Sequence, residues 1–272
     1  MTDRLNQFRW RVAESGYHWT LIGDHWFLTE PEGVATRSYA PLEHTGLFLQ
    51  FAQLRHSRAE ILRFANRYGL LGMAQVRSVI SDSPGSSDWI EEFEVWIDKI
   101  DSLALAVRVR RMVDQTDVAG MSKHIVWEGD AVHFLARTSR GVIKTPIAAK
   151  HWNRDLLERF RPGDVIGPAR YYLQAVINEN LEGQVSSRLL WDASHARLNL
   201  YVVPATLLSA MWLQLAKAVD GDKLHTQCRE CRVWFEVRSP DSETGRGARA
   251  DKQFCGNACR ARAWRKAKEG KK

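Results

Sequence analysis

The chain has 272 residues, 44% of them hydrophobic and 26% charged, a composition that excludes a wholly disordered polymer and supplies enough apolar material for one large core or two modest ones. The formal net charge of +7 is lodged at one end: residues 221–272 hold 14 Lys+Arg against 7 Asp+Glu, whereas the 25 basic and 25 acidic residues of 1–220 cancel. A neutral body with a cationic tail directs any polyanionic partner, nucleic acid above all, to the tail.

In chain order, MTDRLNQFRWRVAESGYHW carries charges throughout and lacks an apolar run, so no secretory signal is expected there. Two short strands are expected at YHWTLIG and HWFLTE, and helical spacing begins in LEHTGLFLQFAQL. Ser57 and Glu60 have capping-box spacing ahead of Ile61, Leu62, Phe64 and Ala65, which predicts a helix that Gly69 ends in the left-handed conformation. SDSPGSSD, residues 81–88, reads as a linker.

The longest helical pattern covers about 89–113, with Ile90, Phe93, Ile97, Ile100, Ala104 and Val107 as its apolar stripe. Glu91, Glu92 and Glu94 lead it and Arg108, Arg110 and Arg111 end it, as the helix dipole favours. Glu91, Glu94, Asp98 and Asp101 fall on one line with no histidine in step, which predicts a solvated face rather than a catalytic cluster.

HIVWEGDAVHFLAR predicts a hairpin turning at 128–130, followed by helices at WNRDLLERF and ARYYLQAVINENLEG. VSSRLLWDASHARLNLYVV predicts a second hairpin turning at 192–195. The 19 residues LNLYVVPATLLSAMWLQLA lack a formal charge and approach the roughly 20 of a membrane span. Asn199, Pro204, Thr206, Ser209 and Gln214 interrupt them, so a buried strand and then a helix, with Leu208, Met211, Trp212, Leu215, Ala216 and Val219 on its apolar side, is the better reading. The body, 1–222, is therefore expected to be α+β, a mixed helical unit with short antiparallel strands, in a soluble cytoplasmic protein without a membrane partner.

The expected second domain, 223–272, contains all four cysteines. Cys228 and Cys231 are separated by two residues, Cys255 and Cys259 by three, and 23 lie between the pairs. Two close-spaced thiol pairs match the closed tetrahedral set of one structural Zn²⁺. Disulfides are the alternative, but they need an oxidising compartment that nothing else in the sequence indicates. His225, three residues before Cys228, is a weaker candidate ligand. VWFEV reads as a strand and ACRARAWRKAKE as a helix. Knuckle, strand pair and ligand-bearing helix, in that order, describe a small treble-clef-like zinc finger. A unit of this size buries too little surface to fold without its metal.

CRECRVWFEV together with KQFCGNACRARAWRK resembles the four-cysteine finger that ends many uncharacterised bacterial proteins. Phe235, Phe254, Cys255, Cys259, Arg260, Arg262, Ala263, Trp264 and Arg265 fill the places of that pattern. PLEHTGLFLQFAQLRHSRAEILRFANRYGLLG looks like body segments of the same proteins. A more distant similarity is to the CGNR-type zinc-finger proteins, which implies a bacterial transcription regulator with a mixed body and a C-terminal finger.

Ideal helical spacing from Arg260 gathers Ala263, Trp264 and Ala267 on one side, expected to pack, and Arg262, Arg265 and Lys266 on the other, expected to meet phosphates. Arg260, Arg262, Arg265, Lys266 and Lys268 are the candidate nucleic-acid contacts. No phosphate loop, nucleophile elbow or His-Glu-x-x-His helix occurs, and an enzyme is the least favoured class. The leading expectation is a DNA-binding regulator. A protein-interaction or ligand-sensing protein, with the finger as a structural or docking module and a homodimer or another protein as partner, is the alternative.

Overall fold

The computed structural model describes residues 8–31, 33–73, 75–76, 89–138, 141–192, 197–221, 224–237 and 251–269. The linker expected at 81–88 lies outside them. The fold is α+β, built from helices and several small antiparallel sheets, and the chain divides into two compact units, Met1–Phe93 with Gly183–Lys272, and Glu94–Glu182.

The first unit begins with β1 (Trp10–Ala13), β2 (His18–Ile22), β3 (His25–Thr29) and β4 (Thr36–Tyr39), then a 3-10 turn, Pro41–Glu43, and the helices α1 (Leu47–Phe51) and α2 (Arg58–Tyr68). β5 (Gln75–Val76) and β6 (Trp89–Glu92) complete a four-stranded sheet in the order β2-β3-β6-β5, while β1 pairs with β4. The chain later returns to this unit through the hairpin β10 (Val185–Asp192) and β11 (Arg197–Pro204), the helix α7 (Leu207–Asp220), the hairpin β12 (Leu224–Gln227) and β13 (Trp234–Val237), and α8 (Asn257–Glu269).

α7 is the central helix of this unit, with every residue of 207–215 buried. Thr206 and Ser209 form a reciprocal capping box at its start, which satisfies donors that a buried helix end leaves open. Gln214, within the apolar run, donates from Nε2 to the carbonyls of Pro41 and His44, each at 2.9 Å, and accepts from the Phe48 N–H at 3.3 Å. One buried amide thus fastens α7 to the segment leading into α1 and leaves its own polar atoms paired. The apolar stretch 198–216 is a strand followed by a helix, but the strand expected to be buried exposes Leu198, Leu200 and Val202, and it is the helix that is buried. Among the described residues no helix is long and apolar enough to cross a membrane.

Four local expectations are corrected. The helix placed over 89–113 begins at Phe93, because Trp89–Glu92 is the strand β6, bonded to β3 and β5. Glu91, expected in solvent, is 2% exposed. Its carboxylate accepts the backbone N–H groups of Leu71, Gly72 and Met73 at 2.9, 2.7 and 2.9 Å, a charge-assisted clasp that recruits these residues into tertiary structure over their helical spacing. At α2, Ser57 makes no side-chain cap, and Glu60 accepts instead from the Arg55 N–H at 3.1 Å. Gly69 does close α2 with positive φ, 94°, but its ψ of 176° is extended rather than left-handed helical.

The second unit holds α3 (Phe93–Asp114) from Glu94 onward, α4 (Val118–Met121), the meander β7 (Ile125–Glu128), β8 (Ala131–Thr138) and β9 (Gly141–Ala149), and the helices α5 (Arg154–Leu157) and α6 (Ile166–Leu181). The buried stripe of α3 runs through Trp96, Ile97, Ile100, Leu103, Ala106 and Val109, so Phe93, Ala104 and Val107 stand at its margin. β8 alternates, burying Val132, Phe134 and Ala136, and the Phe134 ring stacks on Tyr172 of α6. Asp164 accepts from the N–H groups of Ile166 and Gly167 at the start of α6.

Candidate metal centre and basic helix

The first cysteine pair lies in the turn joining β12 to β13. These strands pair antiparallel from Leu224↔Val237 to Gln227↔Trp234, and the Cys228 N–H donates to the Val233 carbonyl at 2.9 Å, continuing the ladder into the turn. Arg232 takes φ 60° there, and its N–H reaches the Cys228 carbonyl at 2.9 Å. A knuckle of this kind aims two sulfurs at one point without a long loop to order. The Arg229 N–H donates to the Gln253 carbonyl at 3.0 Å and ties on the segment that carries the second pair. Cys255 lies two residues before the start of α8 and Cys259 lies in its first turn.

All four sulfurs lie within 4.8 Å of one another, with Cys231 to Cys255 and Cys255 to Cys259 both at 3.6 Å. A disulfide needs about 2.05 Å, and the four thiols are free. Tetrahedral thiolate sites with metal–sulfur bonds of about 2.3 Å require neighbouring sulfurs roughly 3.8 Å apart, so the spacing fits a metal ion. Cys228 and Cys259 are buried with Phe235 and Val237, against which Phe254 packs; this is the small core of the finger.

The electrostatics favour a cation at that point. Burial opposes ionisation of Cys228, but the backbone N–H groups of Cys231, Cys255 and Glu230 outweigh it and lower the thiol to about 6. Burial, then the three adjoining sulfurs, push Cys255 up to about 12. Four thiolates cannot share this space unaided, and a divalent ion held by them would supply the missing positive charge. Arg262 adds to it, donating from its guanidinium to the Cys259 sulfur at 3.1 Å, and that bond raises its own pKa.

The basic helix is turned relative to the sequence expectation. Its inner side is set by Cys259 and the half-buried Ala263, and the flanking Arg262 and Lys266 both turn back to the finger, Lys266 meeting the Glu230 carboxylate at 2.6 Å. Trp264, expected to pack, is 64% exposed, with the Lys268 ammonium 5.4 Å from its ring centroid. Ala261, Trp264, Arg265 and Lys268 therefore share the outward face, and Arg260 is exposed beside Trp264. Trp264 and Ala267 do not seat α8; the ligand Cys259 and Ala263, one turn on, do.

The hairpin is also docked on the segment around α1. The Trp234 indole donates to Gln53 Oε1 at 3.2 Å, and His225 Nε2 lies 3.1 Å from the Thr45 carbonyl, with its ring edge-on to Phe48. His225 thus faces the body segment rather than the sulfurs. A Cβ placed on Gly46 would come within 2.3 Å of Trp234 Cβ, so only glycine permits this approach. Gly46 gave no sequence signal of that role, since nothing in the chain order couples it to Trp234. No family model, no curated protein and no solved structure matches this chain.

Proposed function

We propose that the chain is a zinc-finger nucleic-acid-binding protein, a DNA-binding regulator in which the outward face of α8 meets the polyanion. Zinc is the metal that four thiolates at this spacing favour, and the finger is read as treble-clef-like, akin to the bacterial four-cysteine fingers its motif resembles. The observation that carries the proposal is the division of labour on α8: Arg262 and Lys266 serve the finger, while Arg265 and Lys268 stand on its solvent face with Trp264 and Arg260 alongside. Each phosphate neutralised by that face steepens the salt dependence of duplex binding by about 0.9 log units per log salt. Trp264 adds a ring that can lie against sugar or an unpaired base.

The test is a fluorescence titration of mixed-sequence duplex DNA with the zinc-loaded full-length chain at two salt concentrations, alongside a triple Arg260→Ala, Arg265→Ala, Lys268→Ala variant. The expected result is salt-sensitive binding that the variant weakens, with a shallower salt slope. Absence of binding at low salt, or binding indifferent to the three changes, overturns the reading.

The docking of β12 and β13 on the α1 segment favours a second reading, a finger that clasps the body. Deleting 224–272 tests it: unfolding of the remainder supports a clasp, and a remainder that stays folded rejects it.

A further inference from the structure

The hairpin β10–β11 has its faces reversed. The pairs Ser187↔Val202, Leu189↔Leu200 and Trp191↔Leu198 place six side chains on one face. That face points outward: Leu189, Trp191, Leu198, Leu200 and Val202 are between 43% and 70% exposed. The other face carries Ser186, Arg188, Leu190, Asn199, Tyr201 and Val203, and it is this more polar set that includes the half-buried Leu190, Asn199, Tyr201 and Val203. An antiparallel sheet with one solvated face normally shows the opposite arrangement. Isolated exposed leucines need no explanation, but five contiguous apolar side chains alternating with a polar set do.

We infer that this face is the interface of a homodimer, packed against the same face of a second copy of the chain. Two observations select that occupant. The face carries no formal charge, so a copy placed on it by a two-fold axis confronts no like charge, as a self-complementary interface requires. It also carries no cation, so it holds nothing to attract a polyanion. Its size is adequate: five such side chains at these exposures present roughly 500 Å² of apolar surface. Pairing two copies buries about 1,000 Å², the lower bound of a specific interface. Among the described residues neither outer edge of the hairpin is paired with another strand. α7 packs against β11 and steadies the hairpin, since two strands alone are marginally stable. The inference stands independently of nucleic-acid binding.

Sedimentation velocity of the zinc-loaded full-length chain across micromolar concentrations tests it, with circular dichroism and zinc content as controls for folding. The wild-type chain is expected to sediment at twice the 31.1 kDa of one chain. Leu200→Glu should yield a monomer. Leu200→Ser, a milder change that adds no charge, should raise the dimer dissociation constant by about thirtyfold or more, the effect of losing an interface hot spot. In a Ser187→Cys chain, a short bis-maleimide should link two copies at position 187. A wild-type monomer throughout this range overturns the inference and passes the face to a different partner. A dimer that survives in folded variants, or a failure to cross-link at 187, overturns it as well.

Discussion

α7 and α8 are nearly equal in length, 14 and 13 residues, yet they are held by opposite means. α7 is buried along nine consecutive positions, 207–215, and its one internal amide, Gln214, is fully paired. α8 buries Cys259 and half-buries Ala263; the rest of its anchorage is sulfur, an arginine on that sulfur and a surface ion pair. Metal ligation can therefore seat a helix whose composition supplies no apolar stripe, and it frees the remaining faces for other duties.

Metal removal should separate the two helices most sharply. Chelation, or Cys259→Ala, is expected to abolish an apparent binding free energy of about 10–16 kcal/mol and to unfold the finger. Hydrogen exchange should then show the amides of 251–269 and 224–237 unprotected, while those of 207–220 keep their protection. Continued protection of 251–269 without metal would mean that α8 is seated by packing after all.

The converse change is Trp212→Ala. Trp212 is 1% exposed at the heart of α7, and its truncation should cost about 3–5 kcal/mol in urea denaturation. Metal affinity of the folded variant should be unchanged, because the sulfurs draw nothing from that core. A parallel loss of metal affinity would show that the two anchorages are one. Between these extremes lies Gly46→Ala. The added Cβ falls 2.3 Å from Trp234 Cβ, and overpacking of this kind costs about 1–3 kcal/mol. The expected outcome is faster exchange across 224–237 with metal content intact, which isolates docking from ligation.

The same contrast explains what could be read from residues alone. The thiol pairs, the strand VWFEV and the helix that carries Cys259 were all readable, because close-spaced ligands and a strong helix former are local signals. The hairpins at 125–138 and 185–204 were readable for the same reason. β6 was not: Trp89–Glu92 continues the helical spacing of α3, and only the backbone of residues 71–73, far away in sequence, converts Glu91 from a solvated carboxylate into a buried acceptor. The azimuth of α8 was hidden too. Hydrophobic periodicity assigns Ala263, Trp264 and Ala267 to the inside, yet only Ala263 is half-buried, because a thiolate supplies the anchor.

That azimuth makes the smallest prediction the most discriminating. Lys266 is 70% exposed and pairs with Glu230, whose side chain is 12% exposed, so Lys266→Ala should cost the finger only about 0.2–1 kcal/mol, and less as salt rises. Arg265, one position earlier, makes no ion pair among the described residues and stands on the outward face. Its alanine variant should leave stability within measurement error and weaken DNA binding. The two neighbours are thus expected to exchange roles between a thermal melt and a DNA titration. Had α8 been seated by Trp264 and its alanines, both cations would face solvent, neither change would move the melt, and both would weaken binding alike. Lys266→Ala should instead shift the melt slightly and leave the salt slope where it was, because a cation already turned to Glu230 has no counterions to release on a phosphate.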